Sequence, residues 1–144
     1  MNRRDLFKIS AIGGAAIAAC AAEPHKFFTP EEFAVVDELT EMIIPADEKS
    51  GGAKAAQVAA YIDRRLAEAF EQEQRDRWRA GLKPFLATQD RLALLAKLSD
   101  ARDDFFESLK HETIRGYYSS KIGIADQDYK GNIYQQGDYA GELP

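Results

Sequence analysis

One cysteine and two histidines in 144 residues leave little material for metal or redox chemistry. Cys20 alone can form no internal disulfide, and no cysteine-ligated zinc, iron–sulfur or C-x-x-C-H haem site can be built around it. His25 lies in a short N-terminal stretch where a solvated ring is expected. His111 opens the run His111-Glu112-Thr113-Ile114-Arg115. A zinc-protease helix needs a second histidine where Arg115 stands. Neither histidine has a glutamate three residues before it, so the Glu-x-x-His unit of a di-iron bundle is missing as well. Glycine loops that cradle phosphate, dinucleotide fingerprints and G-x-S-x-G nucleophile turns are absent too. Carboxylates are plentiful, but Glu68, Glu71, Glu73 and Asp76 read as the solvated faces of helices. Positive charge is also in deficit: the formal net charge is −5, which argues against a nucleic-acid partner.

What the chain does have begins at its first residues, MNRRDLFKISAIGGAAIAAC. Arg3 and Arg4 form a twin-arginine pair before a weakly apolar stretch from Ile9 to Ala19. That stretch is rich in alanine and glycine and far shorter than the roughly 20 residues a membrane helix needs. It therefore reads as the core of an export signal of the twin-arginine type, which carries folded proteins across a membrane. Ile17-Ala18-Ala19-Cys20 has the form of a lipobox, with Cys20 as the residue that receives the lipid. The expected destination is the periplasm, with the chain held to a membrane by acyl groups on Cys20. Residues 1–19 carry a net +2 from Arg3, Arg4 and Lys8 against Asp5, so the remaining 125 residues are near −7. That length suits one domain with a modest core.

The body reads as all-α, a small bundle of about five helices between an N-terminal signal helix and an irregular C-terminal arm. The expected divisions are a signal over 1–19, a tether over 20–28, a helical domain over 29–120 and the arm over 121–144. Thr29-Pro30-Glu31-Glu32 is a strong helix start, with a cap, a proline at the first position and a glutamate three residues after the cap. Phe33, Val36, Leu39 and Ile43 share one helical face, and Pro45 predicts the stop. A loop follows over 46–52. A second helix is expected from about Ala53 to Glu73, with Val58, Ile62, Leu66 and Phe70 on one face. A third carries Trp78, Leu82, Phe85 and Leu86, and Pro84 should kink or split it. A fourth covers about Gln89 to Leu98, with Leu92, Leu95 and Leu98 inward. Asp100 is the expected cap of a fifth helix, with Asp103 in its first turn and Phe105, Phe106, Leu109, Thr113 and Tyr117 on its buried side. From Lys121 the pattern lapses: glycines recur and Tyr129, Tyr134 and Tyr139 fall at five-residue intervals. Such a segment is either a loosely ordered tail or an arm that docks on a surface, a task to which tyrosine is suited.

Four stretches together resemble one family. They are Phe28-Thr29-Pro30-Glu31-Glu32 with Ile43-Ile44-Pro45-Ala46-Asp47; Gly51-Gly52-Ala53 leading into Val58-Ala59-Ala60-Tyr61-Ile62-Asp63; Phe105-Phe106-Glu107 running to Thr113, Gly116, Tyr117, Tyr118 and on to Gly123; and Tyr129-Lys130-Gly131-Asn132 with Tyr139-Ala140-Gly141. With the twin-arginine signal they resemble the gluconate 2-dehydrogenase subunit 3 family, the small subunits of membrane-associated sugar and polyol dehydrogenases. The stretch between the second and fourth helices is short for that family. The resemblance implies a non-catalytic subunit without a cofactor of its own. Its implied partner is a large FAD-dependent flavoprotein of the glucose–methanol–choline type, carried through the twin-arginine translocase as a passenger, with electrons passing on to a cytochrome c. Apolar and aromatic anchors for such a partner are expected at Ile44 and Pro45, and at Tyr117, Tyr118, Tyr129, Tyr134 and Tyr139. Asp47 is a further candidate, with capping of its own loop or of the next helix as the alternative. The competing reading is a freestanding helical envelope lipoprotein that serves as a binding or scaffold module.

Overall fold

The computed structural model of the chain describes residues 25–129. Among these residues there are seven helices and no strand, so the all-α expectation holds with a finer division. The helices are α1 (Pro30–Ile43), α2 (Gly52–Ala55), α3 (Val58–Glu68), α4 (Gln72–Ala87), α5 (Arg91–Asp100), α6 (Asp104–Tyr118) and α7 (Lys121–Asp126). The signal, the lipobox and the arm beyond Tyr129 lie outside the described residues.

Helix α1 starts as its sequence dictates. The Thr29 side chain accepts the Glu32 N–H, the Glu32 carboxylate accepts the Thr29 N–H, and Pro30 fills the first helical position. The helix ends at Ile43, two residues before Pro45. It is the central element, packing against α2, α3, α4, α5 and α6. Val36 and Leu39 of α1 are fully buried with Ile62 of α3, Leu82 and Phe85 of α4, and Leu109 of α6. Trp78 is buried between Phe28 and Phe105, its ring edge-on to Phe105 at 5.5 Å.

Several expectations need correction. The single helix expected over 53–73 is two, because Gln57 takes a left-handed conformation (φ 55°) that ends α2 and starts α3 anew. Helix α3 then stops at Glu68 as Ala69 turns extended, and Phe70, expected on its buried face, is wholly exposed. Pro84 does not split α4, which runs through it to Ala87. A proline removes one backbone bond there, but Leu82 and Phe85, buried on either side, hold the last turn in place. Leu92 points outward at 62% exposure, because α5 anchors through Leu95 with Leu94 and Leu98 beside it. The cap of α6 is Asp103, which accepts the Phe105 N–H, and not Asp100, which ends α5. Part of the expected irregular arm is helical: α7 is capped by Ser120 and packs on α6.

Three backbone N–H groups of the N-terminal stretch are held to the body by one side chain. Asp63 of α3 is buried, and its carboxylate accepts the backbone N–H groups of Lys26, Phe27 and Phe28 at 2.7, 2.9 and 2.8 Å. His25, expected in solvent, stacks on Phe33 with ring centroids 4.0 Å apart. The tether expected over 20–28 is therefore part of the folded body from His25 onward. A second buried carboxylate, Glu112, lies 3.0 Å from Arg65 Nε in an ion pair. The N–H of Arg65 is not aligned with it, so Glu112 Oε2 accepts no hydrogen bond.

Candidate partner-binding surface

Between α1 and α2 the chain makes a turn whose shape is set by two carboxylates. Glu41, in the last turns of α1, accepts the N–H of Ala46 at 3.0 Å with one oxygen and the N–H of Lys54 at 2.8 Å with the other. Asp47 accepts the N–H groups of Lys49 and Ser50 at 2.8 and 2.7 Å, an Asx-type closure of its own loop. The Asp47 N–H donates to the Ser50 carbonyl, and the Ala53 N–H to the Ile44 carbonyl. Gly52 makes the last bend at φ +72°, packed so that a Cβ there would lie 2.5 Å from the Ala46 nitrogen. The Ser50 hydroxyl bonds the Tyr117 hydroxyl from beneath, and the latter also donates to Asp126 at 3.4 Å. Pro45, Ala46, Asp47 and Glu48 are exposed on this turn. A segment whose amides are already satisfied by fixed acceptors loses little freedom on binding.

The backbone amides of Lys49 and then Ser50 hold the Asp47 carboxyl below its ordinary value of 3.8. A carboxyl lowered in the folded state supports the turn above its unfolded pKa and loses that support as pH falls through the folded one. Acidification is thus expected to shift the Lys49 and Ser50 amide signals with a midpoint below 3.8. An NMR titration checks this; an Asp47 midpoint at or above 3.8 would show that the two bonds are not made in solution.

The expected anchors are distributed unevenly. Ile44 is half-buried at the end of α1, and Pro45 and Asp47 are exposed on the turn. Tyr118 is 41% exposed at the end of α6. Tyr129 is exposed at the last described position. Tyr117 is a core residue rather than a surface anchor: it is 1% exposed and supports the turn through Ser50. Tyr134 and Tyr139 lie outside the described residues. Two residues of this surface escaped sequence reasoning, Glu41 and the left-handed Gly52. The Gly51-Gly52 pair was the signal for the second; Glu41 gave none, since its partners are backbone amides.

Beside the turn runs an apolar groove of about 580 Å³ between α1, α5 and α6. Ile44, Leu92, Leu95, Phe106, Ile114 and Tyr118 line it, and Lys110 is the one charged residue in its wall. No group of three or more His, Cys, Asp or Glu side chains able to hold a metal ion occurs among the described residues. No helix among them is long and apolar enough to cross a membrane.

Residues 30–92 match the family described as Gluconate 2-dehydrogenase subunit 3. Over that stretch the chain is similar to the gluconate 2-dehydrogenase subunit 3 family. The match runs from the first residue of α1 to the second of α5 and so contains the whole turn built by Glu41, Asp47 and Gly52. Of the four stretches that carried the resemblance, the first two fall within the matched residues, apart from Phe28 and Thr29, and the last two lie beyond them. No curated protein and no solved structure matches the chain. By its description that family consists of subunits of a dehydrogenase complex.

Proposed function

We propose that this chain is the non-catalytic small subunit of a large FAD-dependent sugar or polyol dehydrogenase of the glucose–methanol–choline type, and its escort through the twin-arginine translocase. The observation that carries the reading is the family match over α1 to α5. The Arg3-Arg4 pair supports the escort role, and the lipobox ending at Cys20 supports a periplasmic location anchored to the membrane. Within the matched segment we assign the partner contact to the exposed turn, led by Ile44, Pro45 and Asp47. A turn fixed by four amide–carboxylate bonds offers a preformed edge to a larger protein. FAD would sit on the partner, and a cytochrome c would take electrons from it, so that no electron passes through this chain.

The escort role has a direct test. In the host, Arg3→Lys together with Arg4→Lys is expected to retain both this chain and the flavoprotein in the cytoplasm, with dehydrogenase activity lost from the periplasmic face. Normal export of the flavoprotein beside a stranded double variant would remove the escort role and leave the accessory one standing.

A further inference from the structure

Three cations meet in one cleft with no carboxylate bonded to them. The cleft, of about 330 Å³, lies where the N-terminal stretch meets the end of α3 and the first half of α4, and Lys26, Phe27, Gln72, Arg75, Asp76 and Arg79 line it. Arg75 donates to the Leu66 and Ala67 carbonyls at 3.0 and 2.7 Å. Arg79 lies over the Phe27 ring, 4.8 Å from its centroid, and donates to the Phe27 carbonyl at 3.3 Å. Lys26 is exposed, with its backbone N–H held by Asp63. None of the three makes an ion pair among the described residues. The one acid in the wall, Asp76, accepts instead from the Gln72 side chain at 3.0 Å. Of the other carboxylates near this end of the body, Glu73 pairs with Arg77, and Glu68 and Glu71 line a separate opening with Arg65 and Glu112.

We propose that this cleft takes the phosphate groups of anionic phospholipids and so lays the Lys26–Arg79 face of the body on a membrane surface. The charge is the first argument. The chain after residue 19 is near −7, yet the cleft holds three cations against one carboxylate. The chemistry of the three suits phosphate: a guanidinium offers paired donors in a fixed fork, and an ammonium on a flexible stem offers a mobile point charge. Because carbonyls of α3 and the Phe27 ring already hold the two guanidinium groups, little side-chain freedom is lost when an anion arrives. Position is the second argument, and it rests on the lipid anchor at Cys20 proposed above. Six residues of chain lead from Cys20 to Lys26, a reach of at most about 22 Å. A tether that short presents headgroups to the cleft at an effective concentration on the order of millimolar, so a weak contact is enough. Each cation held near an anionic surface strengthens the contact about fivefold.

The test uses the full-length chain without its lipid, carrying Cys20→Ser, and with Arg3, Arg4 and Lys8 each changed to Gln so that the cations of the N-terminal segment do not hold the vesicles. Sedimentation with vesicles of phosphatidylglycerol and of phosphatidylcholine gives the preference for an anionic surface. That preference should fall at least about fivefold in Lys26→Glu and be nearly unchanged in Lys97→Glu, which makes the same change in net charge on the exposed side of α5. Arg79→Gln should also lower it about fivefold, and Arg79→Lys should keep it. Equal effects of Lys26→Glu and Lys97→Glu, or no preference for phosphatidylglycerol in the parent, would overturn the proposal. Release from the vesicles by inorganic phosphate beyond that caused by chloride at equal ionic strength would overturn it too, because a free anion would then be the ligand. The measurement needs no acyl group, so its failure leaves the anchor at Cys20 untouched. The anchor is read separately, from the mass of the chain recovered from its host.

Discussion

Asp63→Ala is expected to lower the unfolding free energy by about 3 kcal/mol. The side chain accepts three consecutive backbone N–H groups, those of Lys26, Phe27 and Phe28. Hydrogen bonds to a charged acceptor contribute roughly 1.5–3 kcal/mol each. The sum is not realised in full, because Lys26 and Phe27 are open enough to turn to water once released. Phe28 is different, since it is buried against Trp78 and would leave the core with the strand of chain that carries it. Asp63→Asn keeps the oxygen that serves Phe27 and Phe28 and turns an amide toward the Lys26 N–H, so about half of the loss is expected. Denaturant titration of the folded chain, read through Trp78 fluorescence, measures both. An Asp63→Ala variant as stable as the parent would show that the N-terminal stretch is not fastened through α3.

Gly52→Ala is expected to cost about 3 kcal/mol and to deform the turn. The residue sits at φ +72°, where a side chain costs about 1–2 kcal/mol. Its Cβ would lie 2.5 Å from the Ala46 nitrogen and 2.7 Å from a Glu41 carboxylate oxygen. The carboxylate can swing away, but in doing so it abandons the Ala46 and Lys54 amides, at about 1 kcal/mol each. The backbone of Ala46 has no such freedom. Partner affinity should fall at least tenfold, since about 1.4 kcal/mol of that distortion falls on the contact itself. Thermal unfolding and a binding titration against the purified partner measure the two effects. A variant that loses stability and binds normally would move the partner contact off this turn.

How far these features could be read from the sequence depends on whether both partners of an interaction lie close together in the chain. The start of α1 was legible because Thr29, Pro30 and Glu32 cap one another within four residues, and its end because Pro45 restricts its neighbour. The face of α3 was legible through Val58, Ile62 and Leu66, but the period said nothing of the turn that ends the helix before Phe70. Gln57 in the left-handed region divides α2 from α3 although nothing in its type favours that conformation. Asp63 was unreadable, since its partners are peptide groups 35 to 37 residues away. The supporting role of Glu41 was hidden because its partners, the Ala46 and Lys54 amides, carry no side-chain signal. Ile44 and Tyr118 were foreseen as anchors one by one, and only the packing of α5 against α6 reveals that they line a common groove with Leu92.

The account turns on the chain being the small partner of a flavoprotein, and copurification tests that most directly. The tagged full-length chain would be recovered from its own host and the bound proteins weighed by mass spectrometry, with flavin absorbance recorded on the same fraction. The account predicts one large flavin-bearing protein in stoichiometric amount, lost when the turn is deformed by Gly52→Ala. A monomer without flavin from both the cytoplasmic and the envelope fractions would contradict it, and would favour the freestanding lipoprotein.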